Sequence, residues 1–151
     1  MSNPGSLKVT NNEVNTLSDP DCVRCLRKKI NAEGVVVFFR EGNDWRIANF
    51  QGDMPQEMAE VYFHTMLKSG TPAVVATQSR GLLLNKPAEI RAYLPELFGF
   101  FAGQSVIGAK VKIGEHEGVR LAWRANVTPF NDQDLTTLQC FAECPAGCGP
   151  G

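Results

Sequence analysis

Apolar residues along the chain fall into short periodic runs separated by breaks rich in Gly, Pro and Asn. Val23, Leu26 and Ile30 recur at i, i+3 and i+7, which predicts a helix over Asp19 to Asn31. Asp19 is placed to cap it, Pro20 then falls at the first helical position, and Gly34 closes the segment. Val35 to Arg40 is β-branched and aromatic, a buried strand. The turn Glu41 to Asp44 joins it to a partner strand over Trp45 to Phe50, making a hairpin. Gln56 to Lys68 is amphipathic through Met58, Val61, Tyr62, Thr65 and Met66, and Ser69-Gly70-Thr71-Pro72 stops it.

Ala73 to Thr77 reads as a short apolar strand, and Gln78 to Lys86 has no regular pattern. Pro87 to Phe101 holds a short helix, with Ile90, Tyr93, Leu94, Leu97 and Phe98 as its apolar residues and Pro95 at an end or kink. Ser105 to Ile113 and Val119 to Ala125 are strands joined by the turn Gly114 to Gly118, a second hairpin. The last helix spans Asn131 to Cys144. Asn131 is its cap, Asp134 the box partner, and Pro145 and the following glycines its end. Two hairpins, a middle strand and helices at both chain ends predict an α+β domain built on one antiparallel sheet.

The 151 residues suit a single domain, with 43% hydrophobic and 21% charged residues. Residues 1–18 read as a polar flexible arm, 19–144 as the domain, and 145–151 as a Cys/Gly/Pro tail. A net charge of −1 and the lack of a long basic run argue against nucleic acid. The basic residues between Arg24 and Lys29 are interrupted by Cys25 and Leu26 and read as a solvated helix side. No apolar run reaches the roughly 18 residues that span a membrane, and the polar N-terminus has no signal core. The expected location is therefore cytoplasmic, with the five cysteines reduced.

Four local sequences, in serial order, resemble the GAF domain family. Ser69-Gly70-Thr71-Pro72-Ala73-Val74-Val75 is similar to the family's turn from helix to strand. Ser105-Val106-Ile107-Gly108-Ala109-Lys110-Val111 is similar to a later strand, though Gly108 to Lys110 replaces the common Pro. Ile113-Gly114-Glu115-His116-Glu117-Gly118-Val119 resembles the turn between the last two strands. Pro129-Phe130-Asn131-Asp132-Gln133-Asp134-Leu135 resembles the start of the final helix. A related PAS-like or profilin-like sheet is the alternative. The resemblance covers about Asp21 to Glu143. It implies a GAF-like antiparallel sheet of about six strands, N- and C-terminal helices packed on one face, and a ligand pocket on the other. It also implies a sensory or signalling role, with a homodimer through the terminal helices and a signalling partner protein. Ligands differ widely within the family, because one fold hosts many sites.

The cysteines are the most distinctive chemistry. Cys22 and Cys25 form a Cys-x-x-Cys in the first helix, and Cys140, Cys144 and Cys148 follow at four-residue spacing at the other end. If the terminal helices pack side by side, both groups reach one side of the domain. Cys140 and Cys144 point away from the stripe of Leu135, Leu138 and Ala142, which small core fillers would not do. Cys22 lies in a first helical turn near Arg24 and Lys28, where the helix terminus and the cations favour the thiolate. Three readings stay open: an iron–sulfur cluster or other metal, a thiol redox switch, and cysteines that merely pack. With no His near either group, iron–sulfur is favoured over zinc.

The pocket implied by the resemblance would draw on Arg80, Asn85, Arg91, Tyr93 and Ser105, with Phe98, Phe101 and Trp123 as an apolar wall. Solvated arginines and core aromatics are the plainer explanation of each. The family includes a free methionine sulfoxide reductase whose reactive cysteines lie in the central segment. This chain has none there, so that activity is not expected. His64 and His116 have no adjacent nucleophile, and no hydrolase or phosphate-loop motif occurs. A binding module, not an enzyme, is expected.

Overall fold

The computed structural model describes residues 20–95, 99, 104–113, 115–125 and 128–140. In chain order these form α1 (Pro20–Lys29), β1 (Gly34–Glu41), β2 (Asp44–Gly52), α2 (Gln56–Ser69) and α3 (Thr71–Ala76). There follow β3 (Leu82–Leu84), α4 (Pro87–Tyr93), β4 (Gln104–Ile113), β5 (His116–Ala125) and α5 (Asp132–Cys140). The strands form one antiparallel sheet in the order β2-β1-β5-β4-β3. Both expected hairpins are present, and β1 pairs with β5 to join them at the centre.

Side chains alternate across this sheet and so build two cores. On one face Val35, Val37 and Phe39 of β1, Ile107, Ala109 and Val111 of β4, and Ala122 of β5 are buried. They meet Val23, Leu26 and Ile30 of α1 and Leu138 of α5. The first and last helices therefore share a face, as expected. They occupy different halves of it, α1 over β1 and β2 and α5 over β4 and β3.

The opposite face carries Val36, Phe38, Val106, Val119, Leu121 and Trp123, covered by Ala59, Phe63 and Met66 of α2, Val75 of α3 and Ile90 of α4. An aromatic cluster fills its centre. Phe50 stacks on Trp123 with centroids 6.1 Å apart, and Phe63 meets the edge of Phe50 at 5.0 Å.

Three sequence expectations change. Ala73 to Thr77 is not a strand: α3 occupies Thr71–Ala76. Gly70, at φ 80°, ends α2 in the left-handed conformation, and Val74 N–H donates to Gly70 O to close the next helical turn at once. Pro72 sits in that first turn, where its missing N–H costs nothing. The β-branched valines are overruled because Val75 must pack on β4 at Gly108. Second, the unpatterned segment before Lys86 contains β3, a three-residue edge strand too short to show alternation. Third, α2 buries Ala59, Phe63 and Met66, leaving Met58 47% and Val61 63% exposed.

The start of α5 follows the sequence more closely. Asp134 N–H donates to Asn131 Oδ1 at 2.8 Å, and Asn131 N–H donates to Asp134 Oδ2 at 3.0 Å, the expected reciprocal cap. The proposed Asp19 cap of α1 and the continuation of α5 to Cys144 lie outside the described residues. Among the described residues no helix is long and apolar enough to cross a membrane.

Candidate functional site: the terminal-helix face

The polar chemistry of the described residues concentrates on the face that carries α1 and α5. Arg124, near the end of β5, is its centre. Its Nε donates to Asn31 O at 3.1 Å, and Nη2 donates to Ile30 O. Nη1 donates to Thr128 O at 3.0 Å and Pro129 O at 3.2 Å. Nη2 lies 3.6 Å from Asp134 Oδ2, and the guanidinium lies 4.1 Å from the centroid of the Phe130 ring.

Each contact has a local cause. A helix leaves its last carbonyls without intrahelical partners. Asn31, at φ 50°, turns the chain out of α1 and leaves the carbonyls of Ile30 and Asn31 facing β5. A cation there also meets the negative end of the helix. Asp134 is held at the other end by its own capping box. Arg124 therefore ties the C-terminus of α1 to the N-terminus of α5 across β5, with only 12% of its side chain exposed. A planar five-donor group suits four carbonyls and a carboxylate, as an ammonium would not. Sequence reading passed over this residue, because an arginine ending a strand looks like any solvated one. A second tie runs parallel: Arg120 Nη1 donates to Leu138 O at 2.8 Å.

Two of the residues expected in a ligand pocket lie on this face instead. Asn85 follows β3 directly. Its Nδ2 donates to Phe130 O at 2.9 Å, and Phe130 N–H donates to its Oδ1 at 3.2 Å. Ser105 is the register partner of Arg124 and shares the sheet face of Ile107. It is fully buried, and its hydroxyl has no hydrogen-bond partner among the described residues. Asn85, Ser105 and Arg124 thus sit on successive strands or their ends, with Asn85 and Arg124 both gripping Phe130. The remaining candidates scatter. Arg80 is exposed in the turn before β3, Arg91 is exposed on α4, and Tyr93 ends that helix 44% exposed. Trp123 is buried in the opposite core, while Phe98 and Phe101 lie outside the described residues.

The cysteines also differ from expectation. They are not all reduced: Cys25 is disulfide-bonded. Cys22 and Cys140 are free thiols, the first buried and the second exposed. Cys144 and Cys148 lie outside the described residues. Among the described residues no three His, Cys, Asp or Glu side chains come together to hold a metal. A sulfur committed to a disulfide is not a thiolate ligand. In the disulfide form Cys25 is therefore not available as a ligand.

Elsewhere two open clefts adjoin at Leu67 on the outer side of α2. One, about 360 Å³, is lined by Asn43, Asp44, Trp45, Arg46 and Leu67. The other, about 730 Å³, is lined by Val61, His64, Thr65, Leu67 and Lys68.

This architecture is that of a GAF-like α+β domain. The solved GAF domain/HD domain protein from Geobacter sulfurreducens matches it with a TM-score of 0.57 at 19% identity, covering 83% of this chain and 88% of that one. The N-acylhomoserine-lactone-dependent LuxR-family transcription factor CepR2 from Burkholderia cenocepacia is also similar, at 14% identity and a TM-score of 0.42, covering 85% of this chain and 87% of that one. The sequence matches no protein-family model and no curated protein. The likeness is one of fold.

Proposed function

We propose that this domain is a sensory module whose input is the thiol state of α1 and whose output is the packing of the terminal helices. The observation that carries the reading is that Cys25, the disulfide-bonded cysteine, lies on the helix that Arg124 ties to the start of α5. Reduction by a dithiol would open the disulfide to two thiols while the reductant becomes a disulfide. That change removes a covalent restraint from α1. The polar ties at its C-terminus then bias how α5 sits, because both helices rest on one core. A signal passes only so far as the oxidised and reduced forms favour different arrangements. The reading assigns no catalytic turnover, and it gives the terminal helices to a downstream signalling partner.

Hydrogen exchange on the chain in oxidised and reduced thiol buffers tests this. Amides of α1 and of residues 131–138 should exchange faster after reduction, while the strands stay protected. Cys25→Ser should exchange like the reduced form in both buffers. Equal exchange in the two buffers rejects the reading. The iron–sulfur alternative uses the same sulfurs after reduction. Visible absorbance gained on anaerobic addition of iron and sulfide to the reduced chain, and lost in Cys22→Ser/Cys25→Ser, would favour it.

A further inference from the structure

The outer face of α2 is occupied in a way the core does not explain. Ala59, Phe63 and Met66 anchor the helix to the sheet. At 100° per residue the opposite side carries Glu57, Val61, His64 and Lys68, flanked by Met58 and Thr65. Val61 and Met58 are the most exposed large apolar side chains among the described residues. Val61, His64 and Lys68 line the cleft of about 730 Å³, which continues past Leu67 to Trp45 at the hairpin tip. The charges are separated along the helix. Glu57 and Glu60 lie in the first half, Lys68 in the last turn, and all three are exposed.

We propose that this face binds a second copy of the chain, the two α2 helices lying antiparallel about a two-fold axis that passes between Val61 and His64. Such an axis sets Glu57 against Lys68 of the other copy at both ends and Val61 beside His64 in the middle. A parallel pair would instead bring Glu57 onto Glu57 and Lys68 onto Lys68, which repel. The surface is thus self-complementary in one orientation only, as an isologous contact must be. Burial of Val61 supplies the apolar centre, Met58 extends it toward each end, and the end charges supply the register. One helix face with a hairpin tip is a small interface, so the dimer is weak and concentration-dependent. It lies on the layer away from α1 and α5 and leaves them free for a partner. It does not depend on the thiol reading.

Sedimentation of the full chain over a wide concentration range tests it, with covalent dimers through exposed Cys140 counted on non-reducing gels and subtracted. The chain should pass from monomer to dimer. Val61→Asp, a change at an exposed site, should weaken association about tenfold or more with an unchanged circular dichroism spectrum. Glu57→Lys and Lys68→Glu should each weaken it, and the double swap should restore it, since the pair is remade with signs exchanged. A chain that stays monomeric throughout overturns the proposal. So does a dimer indifferent to Val61→Asp, which must use another surface, or a double swap that does not recover.

Discussion

Gly34 and Trp123 face one another in register on β1 and β5, and the Trp123 indole lies where a Cβ on Gly34 would be. The absent side chain lets the indole lie flat over the strand. There it stacks on Phe50 and packs beside Phe63, and it is only 1% exposed. Gly34→Ala should therefore lower stability by about 1–3 kcal/mol through overpacking. Denaturant unfolding followed by tryptophan fluorescence measures this. A native emission maximum unchanged in the variant, with no loss of stability, would contradict the arrangement.

Arg124 should matter more than its sequence context suggests. Arg124→Gln leaves the carbonyls of Ile30 and Asn31 and the carboxylate of Asp134 without their cation. The expected loss is about 2 kcal/mol or more, given hydrogen bonds from a charged donor. Arg124→Lys should recover only part of it, because one ammonium cannot reach all the acceptors. Exchange should rise at both Ala32 and Leu135 in the Gln variant, on the two sides of the tie. A change confined to one side would mean that the helices are not linked through this residue.

Asn131→Ala removes one half of the α5 cap and should cost about 1 kcal/mol. Asn131→Asp keeps an acceptor for the Asp134 N–H but places two carboxylates together, so it should recover little. Thermal melts of the three proteins order them.

Alkylation separates the two free thiols. Cys140 is exposed and should react with iodoacetamide in the native protein, whereas buried Cys22 should react only after unfolding. Mass spectrometry of digests taken before and after denaturant gives the comparison. Equal labelling of both in the native state would place Cys22 at the surface.

Much of the fold was legible because its signals are local. The unbroken β-branched and aromatic run at Val35 to Arg40, the turn at Gly42 and Asn43, and the Asn131–Asp134 box each state their structure within a few residues. The serial order of these elements carried the GAF resemblance. The site was less legible. Asn85 and Ser105 project to the terminal-helix face: Ser105 takes its side from the parity of β4, and Asn85 follows β3, which was too short for its parity to be read. The Gly70 to Thr77 segment misled for a related reason. Its valines favour a strand in isolation, and a left-handed Gly70 followed by Pro72 starts a helix instead.

By itself the sequence determined the elements with strong periodicity, the cap of the last helix and the gathering of cysteines toward the two ends of the chain. Only the tertiary structure decided which face of α2 is buried, that Gly34 makes room for Trp123, that Cys25 is in a disulfide, and that Arg124 joins α1 to α5. Periodicity and capping act over one or two turns of chain, so residues near in sequence suffice to specify them. The other relationships join positions such as Asn31 and Arg124, 93 residues apart. They exist only once β1 has paired with β5 and brought those positions together.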